Sequence, residues 1–230
     1  MTELAPDGGV VPIPAATVVL GRDGAGGFEV LLLRRNSKLE FAGGMWVFPG
    51  GRIDPADYDP AHADDVVLAA RRAAIREAAE EAGLAVDTES LVWFSHWTPP
   101  PQTPKRFSTW FFLAPAPAGT VVIDGGEIHD HVWSTPADAL DRRDAGEIEL
   151  SPPTWITLHG LRGFPSYADA AGTLSQRDPE YFATRIGRAV DGIVALYHGD
   201  AGYETGDADL EGSRHRLWMV AGGWRYERSG

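Results

Sequence analysis

The sequence contains no cysteine among its 230 residues. This absence excludes disulfide bonds, a thiolate nucleophile, and zinc or iron–sulfur sites with cysteine ligands. Lysine is nearly as scarce, since Lys38 and Lys105 are the only two, and 20 basic against 33 acidic residues give a net charge of −13. A field of that sign repels a phosphate backbone, so we expect no nucleic-acid polymer as partner. A small anionic substrate remains compatible with it where local arginines or metal ions offset the field.

The sequence also lacks a hydrophobic run long enough to cross a membrane. The apolar stretch over residues 10–20 is short and is interrupted by Pro12 and Pro14. The residues before it include Glu3 and Asp7 and no basic cluster, so a signal peptide is not expected. These features predict a cytoplasmic protein without a membrane segment.

Hydrophobic patterning predicts a protein of mixed α and β structure. The strongest helix signal covers residues 64–82, with Asp64 or Asp65 as N-cap and Gly83 as the C-terminal stop. Helical periodicity also predicts a short helix from 135 to 140 and helices over 152–161 and 179–190. Short apolar segments bounded by turn residues predict strands over 15–20, 28–34, 46–48, 91–97, 106–113, 132–134, 193–197, 216–220 and 224–227. The Gly- and acid-rich residues 200–212 read as a mobile loop.

Three carboxylates crowd one face of the helix predicted over 64–82. Glu80 and Glu81 follow Glu77 by three and four residues, so all three project from the same side. Like charges in that arrangement repel one another, and a divalent cation between them would remove the repulsion. Oxygen ligands alone select a hard ion such as Mg²⁺ or Mn²⁺. The alternative is a solvated glutamate-rich helix face.

The residues around this helix resemble the signature of the Nudix hydrolases. Pro49-Gly50-Gly51 and a loop are followed by Arg-Glu-x-x-Glu-Glu-x-Gly-aliphatic, which runs from Arg76 to Leu84. The resemblance implies an α+β fold, an α/β/α sandwich with a mixed sheet, and a hydrolase that cleaves diphosphate linkages with Mg²⁺ or Mn²⁺. It places a Nudix domain at residues 10–150 and a C-terminal helical and strand extension at 151–230. Homodimers are frequent in this family.

The first half of the signature departs from the family pattern. The family has Gly, five residues, Glu, seven residues and then Arg, whereas here Asp57 stands six positions after Gly51 and 18 residues separate Asp57 from Arg76. The excess is 18 − 7 = 11 residues. Such an insertion leaves the metal-binding half intact and leaves the role of Asp57 open.

The insertion itself resembles that of the coenzyme A diphosphatase branch, and most closely that of its peroxisomal members. Further likeness to this branch comes from short motifs spread along the chain, at residues 31–35, 41–44, 47–54, 97–99, 104–107, 111–114 and 127–140. The resemblance implies coenzyme A or an acyl-coenzyme A as substrate. ADP-ribose, NADH or a dinucleoside polyphosphate would use the same metal helix. A Nudix fold kept as a non-catalytic ligand sensor is the competing class.

The resemblance assigns roles to individual residues. Glu77, Glu80 and Glu81 would hold the metal, Arg76 would orient Glu77, and Glu127 would be the distal ligand or general base. Glu77, Glu80, Glu127 and Arg76 are therefore the candidate catalytic residues. A helix–loop salt bridge is the alternative for Arg76, and a simple loop acid is the alternative for Glu127.

Other residues are candidates for substrate binding. The turn at Gly50 and Gly51 would let the backbone approach phosphates or metal closely. Arg34 ends a strand near the predicted site. Lys105 and Arg106 form a small positive patch suited to a substrate phosphate, with chance charges on a turn as the alternative.

Overall fold

The computed structural model describes residues 10–38 and 42–229. Within these ranges the chain forms four α-helices and eleven β-strands. The helices are α1 (Val66–Ala82), α2 (Pro136–Asp144), α3 (Pro152–Leu161) and α4 (Tyr167–Ser175). The strands are β1 (Ile13–Gly24), β2 (Gly27–Arg35), β3 (Trp46–Val47), β4 (Gly50–Arg52), β5 (Val92–Thr98), β6 (Phe107–Pro115), β7 (Ile128–Ser134), β8 (Glu180–Ala189), β9 (Gly192–Tyr197), β10 (Arg214–Val220) and β11 (Gly223–Ser229). The predicted α+β class is confirmed.

The described residues divide into two compact units. The central unit contains residues 14–95 and 109–179, and the tail unit contains residues 10–13, 96–108 and 180–229. The strands β5 and β6 therefore contribute residues to both units. The domain boundary expected at residue 150 stays a prediction.

The central unit is built on a β-sheet. Its strands follow the order β5-β6-β1-β2-β3, with β4 beside β1 and β7 beside β2. The pairs of β1 with β2 and β4, and of β2 with β3 and β7, are antiparallel, while a parallel bridge joins Trp46 to Leu150. Val18 and its neighbour Val19 point to opposite faces, and both are fully buried. Both faces of the sheet are therefore covered.

Helix α1 packs on the sheet through a face of small residues. This face consists of alanines, all fully buried, at positions 69, 70, 73, 74, 78 and 82. They belong to the same core as Val18 and Leu20 of β1, Leu31 of β2 and Phe112 of β6. Alanine side chains let the helix backbone approach the strands closely.

The ends of α1 agree with the sequence prediction. Asp65 caps the N-terminus, where its side chain accepts a hydrogen bond of 2.9 Å from the amide of Leu68. Gly83 ends the helix in the left-handed conformation, with φ of 67°. The helix predicted over residues 152–161 is also confirmed, whereas α4 had no counterpart among the predicted elements.

The helix predicted over residues 179–190 is wrong, because this segment forms β8 in the tail unit. It pairs with β9 from Thr184 opposite Tyr197 to Ala189 opposite Gly192. Strand β9 in turn pairs with β10, and β10 with β11, all antiparallel. The segment carries weak helical periodicity, and cross-strand pairing decides its conformation instead.

The predicted loop at residues 200–212 folds around a buried ion pair. The carboxylate of Asp200 lies 2.6 Å from the guanidinium of Arg216, and both side chains are almost completely inaccessible. The amide of His215 also donates to Asp200, at 2.8 Å. The loop is thus tied to β10 by one carboxylate whose partners are all charged or polar.

Candidate active site

Two glycines bring strand β4 against the C-terminal half of α1. The amide of Gly50 donates a hydrogen bond of 2.9 Å to Oε2 of Glu81. A methyl group on Gly50 would collide with the carbonyl of Ala16, and one on Gly51 would collide with the carboxylate of Glu77. A side chain at Gly50 would therefore disturb the pairing with β1, and one at Gly51 would displace the Glu77 carboxylate. The predicted approach of this turn to phosphates or metal stays a prediction.

Glu81 is a buried carboxylate with little compensation. Its side chain is only 7% exposed, and Nη1 of Arg35 lies 3.7 Å from its Oε1, beyond hydrogen-bond distance. Burial, together with the negative charges of Glu77 and Glu127, raises the pKa of Glu81 to about 8, against the opposing effects of the Gly50 amide and Arg35. Burial likewise raises the pKa of Glu77, against the lowering by Arg76. The two carboxylates thus lie close enough to repel each other.

Arg76 forms hydrogen bonds with several carboxylates around the helix. Its Nη1 donates to Glu77 at 2.8 Å and to Glu80 at 3.1 Å. Its Nη2 donates to Asp57 at 2.9 Å and to the carbonyl of Arg52 at 2.9 Å. The hydrogen bonds that Arg76 donates to Asp57 raise the pKa of its guanidinium, as does the neighbouring Glu77, against the opposing effect of burial. The guanidinium therefore holds the Glu77 carboxylate, and the orienting role expected of Arg76 stays a prediction.

Asp57 is the partner of Arg76 that the sequence left open. It is buried and accepts from Nε of Arg76 at 3.2 Å and from the amide of Asp54 at 2.8 Å. It also ends a 3-10 turn that begins at Pro55. The signal in the sequence was its position six residues after Gly51, which matches the first half of the Nudix signature.

Glu127 and Arg35 stand on the opposite side of this cluster. Nη2 of Arg35 lies 3.2 Å from Oε2 of Glu127, whose side chain is 61% exposed. The structure therefore brings Glu127 toward Glu81 through a shared arginine. Arg34, the candidate chosen from the sequence, is exposed, whereas its neighbour Arg35 lies within ion-pair distance of both Glu81 and Glu127. Successive residues of a strand point to opposite faces, and the hydrophobic pattern alone did not separate these two.

Lys105 and Arg106 belong to the tail unit, and their environments differ. Lys105 is exposed, with its Nζ 5.6 Å from the centre of the Phe107 ring. Arg106 is 1% exposed and donates to the carbonyls of Val10, at 2.9 Å, and Pro99, at 3.0 Å. The patch expected from the sequence is corrected for Arg106, because its guanidinium is buried and bonded to backbone carbonyls.

The donor set on α1 fits a hard divalent cation. Glu77 and Glu81 offer carboxylate oxygens, and the absence of a side chain at Gly51 leaves room for the Glu77 carboxylate against the backbone of β4. Among the residues the structure describes, however, no three acidic or imidazole groups are already arranged as a cation cluster. The reason is visible at Glu80, whose carboxylate is 60% exposed and bonded to Arg76. Full coordination by the three glutamates would require that side chain to turn.

Comparison with known proteins identifies the domain around this site. The family model of the NUDIX domain matches residues 11–152. A crystal structure of a NUDIX hydrolase from Alicyclobacillus acidocaldarius is similar to this chain with a TM-score of 0.65 and 28% sequence identity, over 77% of this chain and 100% of that one. No helix in the described part of the chain is long and apolar enough to cross a membrane.

Two curated relatives carry the same name. Acyl-coenzyme A diphosphatase NUDT19 of Gallus gallus is 28% identical over 213 residues, which cover 81% of this chain and 54% of the relative. Its namesake in Xenopus laevis is 23% identical, over 83% of this chain and 75% of the relative. The chain thus spans about half the length of the chicken protein. The similarity agrees with the branch that the sequence motifs resemble.

Proposed function

The chain belongs to the Nudix hydrolase family, and from that premise we propose that it hydrolyses the diphosphate linkage of a nucleoside diphosphate derivative, with coenzyme A or an acyl-coenzyme A as substrate. The observation that carries the proposal is the buried Glu81 carboxylate, which lies beside Glu77 and the Gly50 amide. A carboxylate kept there without a full countercharge costs stability, and a cation-binding role accounts for that cost. The names of the two similar diphosphatases support the choice of substrate.

Glu77, Glu80 and Glu81 would hold Mg²⁺ or Mn²⁺. When bound, that cation would neutralise charge on the diphosphate oxygens and lower the pKa of a nearby water. Arg76 holds the Glu77 carboxylate at 2.8 Å and so fixes one of the ligands before the cation arrives. Gly50 and Gly51 keep the backbone of β4 free of side chains where the diphosphate approaches.

Glu127 is the proposed general base. It would accept a proton from the attacking water as the water oxygen bonds to one phosphorus and the bridging P–O bond breaks. The leaving phosphate departs with the electron pair of that bond, and no covalent intermediate forms. Arg35, rather than Arg34, is the proposed phosphate ligand, because its buried Nε has no hydrogen-bond partner among the described residues.

The further properties expected from the sequence remain part of the proposal. These are a cytoplasmic location, a homodimer, and a Nudix domain at residues 10–150 followed by an extension. The retained helix glutamates oppose a purely non-catalytic sensor, which would not need them.

Product analysis tests the proposal. The full chain is incubated with Mg²⁺ and a panel of coenzyme A, an acyl-coenzyme A, ADP-ribose, NADH and a diadenosine polyphosphate, with Glu80→Gln as control. We expect phosphopantetheine products and adenosine 3′,5′-bisphosphate from the coenzyme A compounds, and none from the variant. Cleavage of another panel member alone would overturn the assignment of coenzyme A compounds as substrates. If no panel member is cleaved, a non-catalytic sensor is favoured.

A further inference from the structure

The loop before β7 is held in place by hydrogen bonds between Asp124 and backbone amides of the residues that follow it. The carboxylate of Asp124 accepts two hydrogen bonds, from the amide of Glu127 at 2.8 Å and from that of Ile128 at 2.9 Å. Further bonds from backbone amides lower the pKa of Asp124, although burial opposes them. The carboxylate thus closes the loop on itself and fixes the peptide group on the N-terminal side of Glu127.

Asn36, just after β2, holds the other side of Glu127. Its backbone amide donates to the carbonyl of Glu127 at 2.7 Å, and its Nδ2 donates to the carbonyl of Gly126 at 3.0 Å. The Asn36 side chain is itself fixed, because its Oδ1 accepts a bond of 3.0 Å from the amide of Lys38. Both peptide groups that flank the Cα of Glu127 are therefore restrained.

An exposed glutamate normally has great rotational freedom. The Glu127 side chain is 61% exposed, yet its backbone is held at both ends and Arg35 binds its carboxylate at 3.2 Å. A fixed backbone limits the positions that the carboxylate can reach, because only the rotations of the side chain itself remain. For a general base, displacement by about 1 Å can cost a hundredfold in rate.

We propose that Asp124 and Asn36 are positioning residues, which hold the backbone of Glu127 so that its carboxylate stays beside Arg35 and the Glu81 end of α1. This inference rests on the proposed function. It adds two residues that make no contact with the helix glutamates and whose effect on turnover passes through Glu127.

A double-mutant cycle tests the inference in the full chain. Asp124→Ala should lower kcat by roughly 10- to 100-fold and change KM by less than about threefold. In the Glu127→Gln background the same substitution should change kcat by less than about twofold, because the group it positions is already disabled. Equal, independent losses in the two backgrounds would overturn the inference.

Two further variants separate positioning from general stability. Asp130→Ala removes a carboxylate of β7 that accepts from the amide of His131 and does not bond to Glu127, and it should leave kcat unchanged. Asn36→Asp removes the bond to the Gly126 carbonyl and should lower kcat in the same non-additive way. A kcat loss in Asp130→Ala equal to that in Asp124→Ala would contradict the proposed role.

Hydrogen exchange supplies a readout that does not depend on turnover. The Glu127 amide should exchange at least about tenfold faster in Asp124→Ala than in the wild type, and unchanged exchange would refute the restraint. The Glu80→Gln control identifies the cause of a failure. If Glu80→Gln abolishes turnover while Glu127→Gln does not, the positioning inference fails alone. If Glu80→Gln is fully active, the proposed function itself fails.

Discussion

The buried Glu81 carboxylate gives a direct test through stability in the absence of metal. Its pKa rises from an ordinary value of 4.5 to about 8 because the folded chain buries it next to Glu77. Below pH 4.5 the group is neutral in both the folded and unfolded states, and it costs nothing. Between pH 4.5 and 8 the unfolded chain loses the proton first, so the free energy of unfolding falls as the pH rises.

The size of this loss in the free energy of unfolding follows from the difference between the pKa values of Glu81 in the unfolded and folded chain. Each pH unit in that window lowers the free energy of unfolding by about 1.4 kcal/mol, so the cost at pH 7 approaches about 3 kcal/mol. Glu81→Gln removes this cost and leaves an oxygen that can accept from the Gly50 amide. The pKa of about 8 already includes the attraction to Arg35, but the amide nitrogen of Gln would stand buried beside the Arg35 guanidinium without an acceptor, at a cost of about 1 kcal/mol. We therefore expect a net gain of about 2 kcal/mol at pH 7, or roughly 5 °C in Tm.

The assay is thermal and urea unfolding of the full chain in EDTA, from pH 5 to pH 8, for the wild type and Glu81→Gln. The exposed Glu89, also in the central unit, provides a matched control as Glu89→Gln. The gain from Glu81→Gln should be small at pH 5 and largest at pH 8, while Glu89→Gln should have no such trend. Equal stability of wild type and Glu81→Gln at pH 8 would refute the explanation by burial.

Adding Mg²⁺ or Mn²⁺ should reverse the order of the two proteins. A cation present at a hundred times its dissociation constant stabilises the folded state by about 2.7 kcal/mol, and Glu81→Gln should lose most of that gain. A variant that stays more stable than the wild type at saturating metal would remove Glu81 from the metal site.

Three other perturbations test separate contacts of the site. Asp57→Asn should lower the free energy of unfolding by about 2 kcal/mol in urea titrations, because the Arg76 guanidinium then loses a buried charged partner. Gly51→Ala should weaken Mn²⁺ binding at least about tenfold by calorimetry, since the added methyl group displaces the carboxylate of Glu77, a proposed metal ligand. Arg35→Ala should raise KM about tenfold and Arg34→Ala should leave it within about twofold, and the opposite order would return the phosphate role to Arg34.

Helix α1, which carries the candidate metal ligands, could be predicted from its local sequence. The cap at Asp65, the stop at Gly83 and the regular spacing of alanines define α1 without any tertiary information. Glu77 and Glu81 then share a helix face because of their spacing. The two glycines before the helix predict a backbone that can approach phosphates or metal closely. The structure shows this backbone in contact with Glu77 and Glu81, while its approach to phosphates and the metal roles of the glutamates remain predictions.

The remaining differences come from information that a linear pattern does not carry. Residues 180–189 show weak helical periodicity, yet β9 provides backbone partners that make them a strand. Arg34 and Arg35 are chemically identical, and only the path of β2, with a register shift between these two residues against β7, determines which one faces the carboxylates. Arg106 looks like a surface charge in sequence, yet its side chain is buried and donates to the carbonyls of Pro99 and of Val10, the second of which is distant along the chain.

The insertion between Asp57 and Arg76 explains why the fixed spacing of the Nudix signature does not match this sequence. The contact between these two residues forms nevertheless. The 18 residues from Tyr58 to Ile75 comprise a loop of eight, residues 58–65, and the first ten residues of α1. Those ten helical residues rise by about 15 Å. Eight loop residues can span up to roughly 27 Å when extended, which is enough to cover that rise. The loop and the first turns of α1 therefore run in opposite directions. Between them, Nη2 of Arg72 donates a hydrogen bond of 2.7 Å to Oδ2 of Asp59. Asp57 accepts a hydrogen bond from Arg76 at 2.9 Å all the same, so this contact is compatible with a longer connection between the two residues.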